Sequence, residues 1–377
     1  MRKYIGKIIA ALIILAILGV AAFYAYRTIK ERNRTYDTYQ VKTEADIKSG
    51  AGVKVIVGDN SIVRYTRDGI SAYNASGREI WNVSYEMSDP IVDICGDYAA
   101  VADKGTVNFY ILDSKGTVHK YAADRKIENL SVGGKGVTAI WMSDELKDYI
   151  SIYDIDGNKA VDMMTTTADN GIPVALDMSP DGTKLVTSYV VYQDNTIKNQ
   201  LTFYNFGDKG ANFVDRLVGL KTYTDRLVSV IRFAGNEAVA AFSDKGVDLF
   251  SMDVTEEDAG TITPEGTIEQ MSVDKSHVGL VLKDAQGKYS CHIYNLKGKE
   301  VDKKELDMKY KHFLVKGEDI ILCGGTKLYI GRIGRADKIK TELPMEINGV
   351  FPADGKLQYT IVGENKLTKI ELKSSKK

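Results

Sequence analysis

The feature that most constrains this chain is a short turn that returns at intervals of about forty residues. An aromatic residue or leucine is followed by Asn or Asp, two further residues, Gly and usually a polar residue. Copies are Tyr73-Asn74-Ala75-Ser76-Gly77-Arg78, Leu112-Asp113-Ser114-Lys115-Gly116-Thr117, Tyr153-Asp154-Ile155-Asp156-Gly157-Asn158 and Tyr294-Asn295-Leu296-Lys297-Gly298-Lys299. The Asn or Asp side chain starts a turn, and glycine supplies the positive φ that closes it, so each copy reads as a hairpin. A second turn precedes several copies, as Asp68-Gly69, Asp103-Lys104-Gly105 and Asp244-Lys245-Gly246. Between turns the pattern has a period of two. In the stretch from Pro173 to Val190, Val174, Leu176 and Met178 alternate with Ala175, Asp177 and Ser179. Ser179-Pro180-Asp181-Gly182 then turns the chain, and Leu185 resumes a second strand.

Units of this size, each with two tight turns, need three or more meandering strands. Repeated along the chain they predict an all-β fold, a β-propeller. The units begin near Val53, Pro90, Ile127, Ile172, Tyr223, Gly266, Tyr310 and Met345. That makes eight blades of about 41 residues; seven of about 46 also fall within the range of propeller repeats. The 34 glycines and 22 tyrosines, against six prolines, suit strands joined by tight turns. The last unit supplies three strands only. A ring that is not closed exposes strand edges, so the segment from Tyr36 to Lys42 is expected to add the missing outer strand. The fourth unit is the longest. It holds an extended hairpin from Tyr189 to Phe203 around Asp194-Asn195, then a loop from Asn205 to Leu220 with room for a helical turn.

The N-terminus is different in kind. Ile8 to Tyr26 carries no charge and would span about 28 Å as a helix, near the thickness of a bilayer core. Arg2, Lys3 and Lys7 precede it, and Arg27, Lys30, Arg32 and Arg34 follow. Tyr4, Phe23, Tyr24 and Tyr26 mark its ends as interfacial aromatics would. The aromatics that continue past Val20-Ala21-Ala22 favour an uncleaved anchor over a cleaved signal peptide. The expected organisation is therefore a short cytoplasmic tail (1–7), a transmembrane helix (8–26), a stalk and tether (27–52), the propeller (53–373) and a C-terminal tail (374–377).

Composition excludes some partners. Fifty basic residues face 51 acidic ones, so no basic field attracts nucleic acid. Cys95, Cys291 and Cys323 give neither a disulfide framework nor a metal-binding spacing, and are expected as small buried apolar residues. Asp154-Ile155-Asp156-Gly157-Asn158 resembles a calcium loop superficially, but glycine comes fourth where an EF-hand needs it sixth. His119, His277, His292 and His312 lack ligand spacing. Cys291 and His292 are adjacent, so on a strand they face opposite ways. Ser61, Ser179 and Ser188 lack the nucleophile elbow. Gly133-Gly134-Lys135-Gly136 lies between strands with no helix to present a phosphate. No catalytic, cofactor-binding or metal-binding residue is singled out, and no cofactor is expected.

Two groups of motifs carry a resemblance. Tyr73-Asn74-Ala75-Ser76-Gly77-Arg78-Glu79-Ile80-Trp81 resembles the repeat of quinoprotein-like propellers, in which a turn precedes a docking tryptophan. Ser179-Pro180-Asp181-Gly182-Thr183-Lys184-Leu185 resembles the hairpin of WD40-like and TolB-like propellers. Over essentially its full length the chain is similar to a clostridial family of membrane-anchored β-propeller proteins with no assigned activity. Arg64-Tyr65-Thr66-Arg67-Asp68-Gly69, the stretch from Pro90 to Tyr98 and Phe203-Tyr204-Asn205-Phe206-Gly207 carry that likeness. It implies an exported propeller. The docking tryptophan occurs once, at Trp81; the other tryptophan, Trp141, has a different strand context. That argues against a bound quinone.

The expected function is a non-enzymatic, protein-binding scaffold of the bacterial cell envelope, held in the cell membrane by the 8–26 helix with the propeller extracytoplasmic. The candidate contacts are the loops 84–90, 165–172 and 218–225. The alternative is an envelope receptor or sensor that binds a small molecule or glycan at the propeller channel. A quinoprotein-type or hydrolytic enzyme ranks last, because no constellation meets the geometric demands of catalysis.

Overall fold

In the computed structural model the described residues are 33–47, 53–57, 61–74, 77–144, 147–166, 171–353, 355 and 357–374, with single helical positions between 14 and 30. Among them the chain forms eight four-stranded antiparallel sheets, an eight-bladed β-propeller. Blades 1 to 7 span residues 54–84, 90–122, 126–166, 172–223, 228–262, 267–306 and 312–342. Within each, the strands are ordered as they come in sequence, and the first strand lies nearest the axis.

Burial follows from that stacking. Second strands such as Tyr98–Asp103 and Asp319–Gly324 are buried along nearly their whole length, because each blade is packed between two others. A clean alternation survives only toward the rim, as in Glu300–Leu306. The recurring turns join third to fourth strands. In each, the side chain of Asn or Asp accepts hydrogen bonds from the backbone ahead of it. Asp113 takes the amides of Lys115 and Thr117 at 2.9 and 2.8 Å, and Asp154 those of Asp156 and Asn158, both at 2.9 Å. Gly116 and Gly157 close these turns at φ 76° and 80°. Both also need to be small. A Cβ on Gly116 would overlap Trp81 of blade 1, and one on Gly157 would overlap the Tyr121 ring of blade 2. The turn of one blade thus docks on the outer strand of the blade before it. Ala45 and Leu367 of blade 8 take the same place against Gly77 of blade 1.

Blade 8 takes strands from both ends of the chain. Gly349–Pro352, Gln358–Val362 and Lys366–Lys373 are its inner three, and Thr38–Asp46 is its outermost. The pairing runs from Thr38 beside Lys373 to Asp46 beside Lys366, with one irregularity between Val41 and Thr43. The chain just before this strand is also fastened. The Tyr36 amide donates to the Lys338 carbonyl at 2.8 Å, and the Arg332 guanidinium to the Arg34 carbonyl at 3.0 Å. Behind them, Lys338 Nζ lies 2.6 Å from Asp319 Oδ1, and the Tyr359 hydroxyl donates to Asp319 Oδ2 at 2.6 Å. All three side chains are buried between blades 7 and 8. Burial and the Asp319 charge raise the Tyr359 hydroxyl far above its ordinary pKa.

The described positions before residue 31 are helical. Ile14, Leu15, Ile17, Leu18, Val20, Phe23 and Tyr24 are each more than half exposed. Among the described residues no helix is long and apolar enough to cross a membrane. Residues 8–13, 16, 21 and 25 of the expected span lie outside the described residues.

Candidate functional site: the axial channel and the blade 4 hairpin

The first strands around the axis repeat one polar position. It is Asp93 in blade 2, Ser131 in blade 3, Asp177 in blade 4, Arg232 in blade 5 and Ser272 in blade 6. Where this residue is an acceptor, it bonds to a backbone amide of the next blade. Asp93 Oδ2 accepts from the Val132 amide at 2.8 Å, Ser131 Oγ from Met178 at 3.1 Å, and Asp177 Oδ2 from Phe233 at 2.7 Å. Ser272 Oγ accepts from the Val315 amide at 2.9 Å. Each bond ties one innermost strand to its neighbour.

Ser131 also bridges two carboxylates. Its hydroxyl lies 3.0 Å from Asp93 Oδ2 and 3.3 Å from Asp177 Oδ1. One serine proton serves one acceptor at a time. Burial raises both carboxyls, Asp177 to about 7, and the Asp93 charge adds to the rise at Asp177. A proton held on one carboxyl, donated to Ser131 Oγ, satisfies the bridge. Arg232 opposes the shift, but its guanidinium is 3.7 Å from Asp177 and largely in solvent.

Among the described residues no such acceptor joins blades 7 and 8 or blades 8 and 1, nor blades 1 and 2 or 5 and 6, and at these four junctions the first strands approach each other less closely. A cavity of about 460 Å³ lies between blades 6, 7, 8 and 1. Val55, Ile56, Leu314 and Val350 form much of its wall, with Gln270 and His312 as polar members.

The other distinctive element is the blade 4 hairpin. Lys184–Gln193 and Thr196–Asn205 pair over ten residues and outrun the strands on either side. Asp194 and Asn195 turn the tip at φ 55° and 58°, in the left-handed region those side chains tolerate. Tyr192 and Ile197 face each other across the tip, 62% and 70% exposed. The base is rigidly held. Asn199 donates to Ser188 Oγ at 2.8 Å and accepts from the Val228 amide of blade 5 at 2.8 Å, while Ser188 donates to the Val228 carbonyl at 2.8 Å.

The remaining residues read from the sequence scatter. Cys291 and Cys323 are buried and Cys95 half-buried, and among the described residues none of the three forms a disulfide. His292 bonds to Ser290 and Glu300 at 2.9 and 2.7 Å. Gly134–Gly136 form a single 3-10 turn, and the Gly134 amide donates to the Pro180 carbonyl. Among the described residues no group of three or more His, Cys, Asp or Glu could hold a metal. Of the loops 84–90, 165–172 and 218–225, the last is mostly strand, Leu217–Tyr223, and 167–170 lie outside the described residues. The sequence reading passed over the axial polar positions. Their signal is an apolar-polar-apolar triplet at the end of a first strand, such as Leu130-Ser131-Val132, Leu176-Asp177-Met178 and Ile231-Arg232-Phe233.

A polar-latched propeller whose ring is closed by an N-terminal strand defines the class. Residues 32–372 match the model of DUF5711, described as a family of unknown function, and the chain belongs to that family. No curated protein matches its sequence. Among solved structures, BamB from Moraxella catarrhalis aligns at TM-score 0.55 and 11% identity, over 89% of this chain and 100% of that one. Hsv2 from Kluyveromyces lactis aligns at TM-score 0.52 and 13% identity, over 83% of this chain and 100% of that one. At such identities the likeness is one of fold.

Proposed function

We propose that this chain is a non-enzymatic scaffold of the cell envelope, anchored in the membrane by its N-terminal helix, with an extracytoplasmic propeller that binds a protein partner. The observation that carries the reading is the blade 4 hairpin, a rigid stem with an exposed apolar tip. Tyr192 and Ile197 are large, ordered by their strand and free to be covered, which is the make-up of an interface anchor. The exposure of Ile14, Leu15, Ile17, Leu18, Val20, Phe23 and Tyr24 supports an anchor.

Strand direction adds a geometry. Third strands run away from the face that holds the 194–195 tip. Thr38 pairs with Lys373 at the far end of a third strand, so the tether joins the opposite face. An anchored propeller would therefore present the hairpin away from the bilayer.

The test places a photo-cross-linker at 192, at 197 and, as a control on the opposite face, at exposed Val214 in full-length chain in native membranes. Expected is one dominant protein adduct from 192 and 197, none from 214, and its loss in the Tyr192→Ser/Ile197→Ser variant with an unchanged melt. Equal capture from both faces, or none from the tip, overturns the reading.

A further inference from the structure

We propose that the cavity on the axis between blades 6, 7, 8 and 1 is a binding site for a small, uncharged, largely apolar molecule that carries a hydroxyl or N–H donor. The site is independent of the hairpin and of any protein partner. Its volume, about 460 Å³, falls within the range of small-molecule sites, ~300–1,000 Å³. It also has a structural cause. It is walled by first-strand residues of four blades, among them Gln270, Leu314, Val350 and Val55, so the void belongs to the ring's plan and not to one ill-fitting side chain.

The polar members of the wall set the ligand's chemistry. Gln270 Nε2 donates to the carbonyls of Tyr310 and Lys311 at 3.0 and 2.9 Å. Those two bonds fix the amide: its nitrogen faces the carbonyls, so its oxygen is the free end. That oxygen is closed off from solvent and has no hydrogen-bond partner among the described residues. It accepts only, so a ligand that displaces the atoms covering it and pairs it must bring a donor. His312 Nε2 is likewise buried and unpartnered. Burial and the neighbouring Lys311 hold this imidazole below its ordinary pKa. An unpaired buried polar atom is costly, and a ligand that pairs it recovers that energy on binding.

Charge is the property the wall does not support. Lys311 is the one charged side chain lining the void, and it is exposed. An ion seated deeper would lose its hydration with no opposite charge to replace it. Cys323 also lines the void, but burial raises its thiol to about 12, so it acts as wall and not as nucleophile.

The test uses full-length chain in lipid nanodiscs and two probes of nearly one shape. 2-Naphthol has a hydroxyl donor; 2-methoxynaphthalene has none. Calorimetry with empty nanodiscs as reference removes lipid partitioning. Expected is saturable binding of 2-naphthol and at least about tenfold weaker binding of the methoxy compound. Two variants fill the void. Gly349→Leu is tolerated by the backbone, because Gly349 has no positive φ and a Cβ there meets Val362 and Val55 at an ordinary 3.9 Å. Met271→Trp, at a partly exposed position, is the second. Binding should vanish in whichever variant keeps the parent melt, while cross-linking from 192 and 197 persists. No saturable binding, equal binding of the two probes, or undiminished binding in a folded filled variant overturns the proposal.

Discussion

Blades 2 to 5 and blades 7, 8 and 1 share one four-stranded plan, yet their innermost strands meet differently. In the first arc a side chain of each blade reaches the backbone of the next: Asp93 to Val132, Ser131 to Met178, Asp177 to Phe233. In the second arc the wall is Leu314, Val350, Val55 and Ile56, and the strands stand apart around a cavity. The second arc is held from outside instead. The strand Thr38–Asp46 and the buried Lys338–Asp319–Tyr359 cluster secure blade 8 at its rim. Hydrogen bonds at the axis draw strands together; closure at the rim leaves the axis free. One ring thus contains a rigid half and a half with room for a guest.

The sharpest break of this contrast is removal of the rim closure. Deleting residues 35–47 strips the outer strand from blade 8 and exposes the Lys366–Lys373 edge. The expected loss is at least about 5 kcal/mol, or roughly 10 °C in melting temperature. Hydrogen exchange should show blades 7, 8 and 1 opening first and blades 2 to 5 last. An unchanged melt would mean the rim strand closes nothing.

A second measurement probes the latched arc through pH. Asp177 has a folded pKa near 7, above the ordinary carboxylate value of 3.8. Between those values the folded chain keeps a proton that the unfolded chain has released, so stability falls as pH rises from about 4 to 7 and then levels. Asp93 is raised as well and acts in the same sense. About three pKa units set an upper bound of about 4 kcal/mol for Asp177. Urea midpoints at pH 4.5 and 8 should differ in that direction, and Asp177→Asn should flatten much of the difference. If Arg232 instead kept Asp177 ionised throughout, the asparagine variant would leave the pH dependence as it was.

Much of the ring was legible because its determinants are local. A turn needs its Asx side chain and its glycine within five residues, so the period and the eight units can be read directly. Units placed at Pro90, Ile127 and Ile172 start within a residue of observed strands. Local signals placed boundaries less well elsewhere: the eighth unit was set at Met345, whereas its first strand begins at Gly349, and the closing strand at Tyr36 to Lys42, whereas it spans Thr38–Asp46. The fifth unit was placed at Tyr223, whereas blade 5 begins at Val228. The outer strand Leu217–Tyr223 follows two 3-10 turns, Asp208–Gly210 and Val214–Arg216, and was read as part of a loop. The axial positions were illegible for another reason. Asp93, Ser131 and Asp177 are about forty residues apart, and their meeting depends on the packing of three successive blades. His312 was read as a surface or satisfied histidine. That it lines a cavity with its Nε2 unpartnered depends on how blades 6, 7, 8 and 1 meet, a property of several blades together.

The smallest expected effects divide the two arcs most finely. Ser131→Ala removes the acceptor of the Met178 amide and the proton that bridges Asp93 and Asp177. Ser272→Ala removes only the acceptor of the Val315 amide, at the border of the open arc. A lost buried hydrogen bond is worth about 1 kcal/mol, and more where charged groups are left facing each other. Urea midpoints should therefore rank the first at roughly 2–3 kcal/mol and the second near 1 kcal/mol. The second has a further consequence. With blade 6 no longer tied to blade 7, the open arc gains a blade, and solvent exchange at the Val315 amide should quicken while that at Val132 does not. Equal losses would show that the shared proton adds nothing to the latch. No measurable loss at Ser272 would show that strand spacing at the axis is set by blade packing alone, and the division of the ring into two halves would then need another cause.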